Sequence, residues 1–228
     1  MMKVNTKDWI TFLSTAKSYL SEANIVIKDN MARIVGVDLT HTNMLAAAIP
    51  CEYEGETIIP VSLEKMVKAL SAVGQDADME LTDGYLTLHG EHSKFKVPLL
   101  ADVESKFRWP DKFAEAGPAQ CDIDVSLLVP LISYGQYISA GQARVVIADT
   151  RMNIIVGEDP ETSEIQSPNT AVGESDCKLG LSYIELLLKN IKSGVLHVSG
   201  YGNNMPVLFS WSAGEGQYKV LMAPWIEE

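Results

Sequence analysis

Cysteine is scarce in this chain. Three occur in 228 residues, Cys51, Cys121 and Cys177, odd in number, far apart, and with no C-x-x-C among them. That argues against a disulfide framework or a zinc site and leaves free thiols as the reading. Long apolar runs are missing too: none approaches the ~20 residues that cross a bilayer, so no membrane partner is expected. No apolar stretch follows the first lysine of "MMKVNTKDWI", which is not how a signal peptide reads, and the protein is expected inside the cell. Basic residues are few, with 18 Lys and Arg against 30 Asp and Glu, a net charge of −12. This excludes a protein that coats nucleic acid with its whole surface, though not one that gathers its cations on one face.

Signatures of catalysis are also absent. No G-x-S-x-G or H-E-x-x-H occurs. His89 and His92 in "HGEH" have a metal-like spacing but no third ligand type nearby, and read as a surface turn. "DADME" (Asp76 to Glu80) lacks the glycine and the distant glutamate of a calcium loop. "GYGNN" and "AGEGQ" are glycine turns that open no helix, as a phosphate loop would. The chain is expected to be no enzyme and to need neither cofactor nor metal.

What is present is a repeat. "ANIVIKDNMARIVGVD" (Ala23 to Asp38) and "ARVVIADTRMNIIVGED" (Ala143 to Asp159) both read as strand, Asp/Asn turn, strand, with apolar residues alternating. A helical pattern precedes each, from Thr6 and from Asp124, with those two residues as expected N-caps. A second helical pattern follows each, Ser62 to Gly74 and Leu181 to Gly194, each closing on glycine. Strand-like runs come next in both halves. The reading is α+β: two copies of one unit, each with two helices and a mostly antiparallel sheet. The expected domains are 1–103 and 121–228. The joining segment, 104–120, is polar and carries Phe107, Trp109 and Phe113, aromatics of the kind that mark docking sites.

"LSEANIVI", "VDLTHTNML", "NNMPVLF" and the ending "LMAPWIEE", in this order and spacing over the whole chain, resemble the DNA polymerase sliding clamps of the archaeal and eukaryotic type, the PCNA family. The resemblance implies a ring of three subunits, a homotrimer, with antiparallel sheets outside and two helices per domain facing a central hole. Double-stranded DNA passes through the hole without sequence preference. The ring tethers DNA polymerase, accepts a clamp loader, and binds other proteins through a short clamp-binding motif. It is a non-catalytic processivity factor, working in the nucleoid, or in the nucleus if the source is eukaryotic. Carried over by position, the partner groove would be lined by Val37, Thr42, Met44, Phe107, Trp109, Pro110, Pro206, Leu221, Met222, Ala223, Pro224 and Trp225. Trp225 departs from the basic residue the family often has there.

The resemblance makes a demand on the charges. Helices that face DNA need cations and few acids. The first carries Lys7 and Lys17, the second Lys65 and Lys68, and the fourth Lys189 and Lys192, against Asp8, Glu64 and Glu185. These six lysines are the expected DNA-facing residues. The third helix departs from this. It has no charged residue from Val125 to Gln142, and Pro130 and Gly135 are expected to interrupt it. That implies weaker phosphate attraction there, or a helix buried against something else. The ring contact would join an edge around "HSKFKVPLL" (His92 to Leu100) to one within Ser163 to Gly180, where Pro168 cannot donate to a ladder. The alternative reading is a diverged viral or checkpoint-type clamp, monomeric or heteromeric, that binds clamp partners without encircling DNA.

Overall fold

The computed structural model describes residues 2–101 and 108–226. The elements run in chain order. The first half is β1 (Met2–Asn5), α1 (Thr6–Lys17), β2 (Glu22–Lys28), β3 (Met31–Val37), β4 (Asn43–Pro50), β5 (Thr57–Ser62), α2 (Leu63–Val73), β6 (Asp76–Thr82), β7 (Tyr85–His89) and β8 (Lys94–Pro98). The second half is β9 (Ala119–Asp124), α3 (Val125–Tyr137), β10 (Gln142–Ala148), β11 (Arg151–Glu158), β12 (Glu161–Gln166), β13 (Ser175–Gly180), α4 (Leu181–Asn190), β14 (Val195–Gly200), β15 (Val207–Ala213) and β16 (Gly216–Met222). Each half reads strand, helix, four strands, helix, three strands. The repeat visible in two strand pairs thus extends over every element.

Two compact units are present. One holds 1–109 with 212–218, the other 110–211 with 219–228. In the first, one sheet has the order β1-β6-β7-β8, and β5-β2-β3-β4 run side by side in another. In the second, β12-β11-β10-β13 form one sheet and β9-β14-β15-β16 lie adjacent in the other. The orders match element for element, and the pairing is antiparallel throughout.

Alternation sets which face is buried. β3 alternates half-buried and buried residues, with Ala32, Ile34 and Gly36 inward. β11 does the same with Met152, Ile154 and Val156. Trp9, Phe12 and Leu13 of α1 and Leu63, Met66 and Leu70 of α2 complete the first unit's core. Leu128, Leu131, Ile184 and Leu187 supply the corresponding helix faces of the second.

Four details differ from the sequence expectations. The N-cap of α1 is Asn5, whose side chain accepts from the Asp8 N–H at 3.2 Å. Thr6 is buried, and its hydroxyl serves the carbonyls of Gly74 and Gln75, at the end of α2. Helix α4 stops at Asn190, so Gly194 does not close it and Lys192 lies beyond it. Pro130 sits inside a continuous α3. The hydrogen bond it cannot donate would run to the Ser126 carbonyl in the first turn, an exposed residue open to solvent. Gly135 does not break the helix either. A Cβ there would lie 2.5 Å from Val156 and 2.8 Å from Leu181, so glycine lets α3 approach the sheet and α4. Pro168 falls after β12 has ended at Gln166 and interrupts no strand.

Candidate partner and nucleic-acid surfaces

The first unit brings three of the expected groove residues together. Val37 and Met44 are register partners at the end of the β3–β4 hairpin. Thr42 lies between them in the connecting loop, and all three are half-buried. Asp38 holds this loop. Its carboxylate accepts from the N–H groups of Thr42 and Asn43 at 2.9 and 3.1 Å and from the Asn43 amide at 2.8 Å. The hydroxyls of Thr40 and Thr42 add bonds of 3.0 and 3.1 Å. Burial alone would raise the Asp38 pKa, but the bonds from Asn43, Thr42 and Thr40 prevail and lower it. The held loop presents Leu39, 94% exposed, to solvent. Sequence reasoning missed Asp38, although the pattern Asp38, Thr40, Thr42, Asn43 is the signature of a side chain bracketing its own turn.

The remaining groove residues divide. Trp109 is half-buried and Pro110 exposed. Phe107 lies outside the described residues. Pro206, Ala223 and Pro224 are half-buried. Leu221 and Met222 are corrected: both are buried in β16, Met222 completely. The alternation that carries Tyr218 and Val220 inward continues to Met222, which belongs to the core and not to an open wall. Leu221 has the opposite parity, that of exposed Gln217 and Lys219, and is nonetheless covered. Trp225 turns onto its own unit. Its N–H donates to the Lys178 carbonyl at 2.7 Å, and its indole lies over Gly180. In the same unit Phe113 stacks edge-on against Tyr201, with ring centroids 4.7 Å apart, so this linker aromatic folds back on its neighbours.

All six expected DNA-facing lysines are exposed. Lys65 and Lys68 lie on α2, and Lys68 forms a surface ion pair with Glu64 one turn away. Lys189 sits in the last turn of α4, where a cation suits the helix dipole. The outward stripe of α3 is Ser126, Val129, Pro130, Ser133 and Tyr137, three or four residues apart and neutral throughout. Tyr137 is 85% exposed, so this stripe is not covered by the chain's own residues.

Among the described residues there is no group of three or more metal-ligating side chains, and no helix is long and apolar enough to cross a membrane. Cys177 is buried, which pushes its thiol up to about 11, far from a reactive thiolate.

No protein-family model and no curated protein matches the chain by sequence. Solved structures match it over its full length. PCNA of A. fulgidus, solved with the C-terminal region of FEN-1 bound, superimposes with a TM-score of 0.86 at 19% identity, covering 100% of both chains. PCNA of Thermococcus kodakaraensis gives 0.82 at 13%, over 99% of this chain and 100% of the other. A PCNA2–PCNA3 complex from Sulfolobus tokodaii gives 0.79 at 19%, over 98% of both. The fold is that of the PCNA sliding clamps.

Proposed function

We propose that this clamp-fold chain works as a DNA sliding clamp. Copies of it close into a ring around duplex DNA and tether DNA polymerase and other replication and repair proteins there, without catalysis. The observation that carries this reading is the full-length likeness to PCNA in both repeated units. A topological mechanism asks little of individual contacts. A closed ring cannot leave DNA sideways, so a few exposed lysines and non-specific, salt-sensitive attraction suffice, and sliding stays fast. Bound partners gain effective concentration at the DNA.

Two sheet edges support the ring. β8 ends the first unit's sheet and β12 ends one in the second. On β8, Lys94 and Lys96 are exposed, and Phe95, pointing the other way, is half-buried. On β12, Glu164 is exposed and Ile165 half-buried. Antiparallel pairing of β8 from one copy with β12 of the next would match lysine to glutamate on one face and phenylalanine to isoleucine on the other.

Partner segments would dock at Val37, Thr42 and Met44, beside exposed Leu39. The PCNA solved with a FEN-1 segment supports this kind of partner. The neutral stripe of α3 favours a second reading, in which the chain is one member of a mixed ring whose other members supply more cations.

The test is the solution mass by light scattering over a range of concentrations, followed by clamp-dependent DNA synthesis. A mass of three subunits and salt-sensitive retention on circular but not linear DNA are expected. A single-subunit mass at all concentrations overturns the homotrimer and leaves the mixed ring.

A further inference from the structure

The hairpin between β11 and β12 reads Glu158, Asp159, Pro160, Glu161. Glu158 and Glu161 are direct cross-strand partners, and both are exposed. Like charges in that relation destabilise a hairpin. A cavity of about 430 Å³ opens beside them, with walls from Ile138, Ala140, Gln142 and Trp225. Trp225 is 44% exposed and held in place. Its backbone is tied to Lys178, and its six-membered ring lies where a Cβ on Gly180 would be 3.5 Å away. Arg144, two residues along β10 from Gln142, is held by Asp176 and does not neutralise the pair. The Gln142 amide donates to the Glu158 carboxylate at 3.5 Å, a neutral contact that leaves the charge in place. The cavity therefore joins an aromatic and aliphatic wall to two carboxylates that no cation pairs among the described residues.

We propose that this cavity receives an arginine side chain from a partner protein. A guanidinium is planar, stacks on an indole face, and presents a fork of donors that can serve both glutamates at once. A divalent cation would gain nothing from Trp225 or Ile138, and a neutral apolar group would leave the carboxylates facing each other. The site lies wholly within the second unit and needs no ring, so its test does not stand or fall with the clamp reading.

The test titrates the full chain with acetyl-Gly-Arg-Gly-amide and with the citrulline peptide of the same shape, up to about 10 mM, the range suited to a single side chain. Binding is read by NMR at the Trp225 indole N–H and at the Gly157 amide. A saturable shift with the arginine peptide is expected, with on the order of tenfold weaker binding for citrulline and for the Glu158→Gln/Glu161→Gln variant. In Trp225→Leu the Gly157 response should weaken in the same way. Equal responses to the two peptides, no saturable shift, or an unchanged response in the double glutamine variant would overturn the proposal.

Discussion

Val37 and Met44 face each other as register partners at the end of the β3–β4 hairpin, and the loop that joins them is clasped by the Asp38 carboxylate. Replacing that carboxylate takes from the Asn43 amide its shorter bond, leaving only a 3.3 Å bond to the Thr42 hydroxyl in a residue 1% exposed. Asp38→Ala should cost about 1–3 kcal/mol in urea unfolding at neutral pH. The folded pKa of Asp38 is lowered, so the bracket contributes fully above the ordinary carboxylate pKa and is lost as pH falls through the lowered value. The difference between wild type and variant should therefore shrink on acidification below about pH 4. A difference that grows instead would contradict the bracket.

Glycine at 157 is required twice over. Its φ is +87°, and a Cβ would stand 2.1 Å from the Glu161 carbonyl oxygen. Gly141 meets nothing within 4 Å and has no such φ. Gly157→Ala should destabilise by more than about 2 kcal/mol, while Gly141→Ala stays within about 1 kcal/mol of wild type. Thermal unfolding of the two variants compares them directly.

Alanine at Lys65, Lys68, Lys189 and Lys192 should leave the melting temperature nearly unchanged, because these residues are exposed and the one ion pair lost, Lys68 with Glu64, is solvated. Clamp-dependent synthesis should fall. The slope of log affinity against log salt should flatten by up to about 0.9 per lysine that touches phosphate. Unchanged processivity would remove these lysines from the DNA-facing surface.

Reversing charge on one edge tests the ring contact. Lys94→Glu with Lys96→Glu should shift the mass toward single subunits, and adding Glu164→Lys should restore assembly in part. Light scattering reads both. Assembly indifferent to the first pair would rule out β8 pairing with β12.

The doubled unit was legible because two strand pairs kept their alternation and their Asp/Asn turns 120 residues apart. Other features hid for physical reasons. Asn5 and Thr6 are both good caps by type, and only the carbonyls of Gly74 and Gln75, distant in sequence, decide that Thr6 is used elsewhere. Gly135 resembles a helix breaker until Val156 and Leu181 crowd it. Leu221 and Met222 read as groove wall from their place beside the tail, yet strand parity turns Met222 inward. Asp38 acts through five short bonds inside one loop, and local turn chemistry would have revealed it.

The first unit is not continuous in the chain, since residues 212–218 belong to it. Tyr218, 1% exposed, comes close enough to Asp8 and Thr15 for both to act on its hydroxyl. A ribosome delivers these residues only after residues 110–211 of the other unit. Synthesis at roughly 5–20 residues per second leaves the first unit without this segment for on the order of ten seconds, while residues 110–211 emerge. A nascent or truncated chain that stops short of the final hairpin is thus an unfinished first unit, and the cell's chaperones meet it in that form.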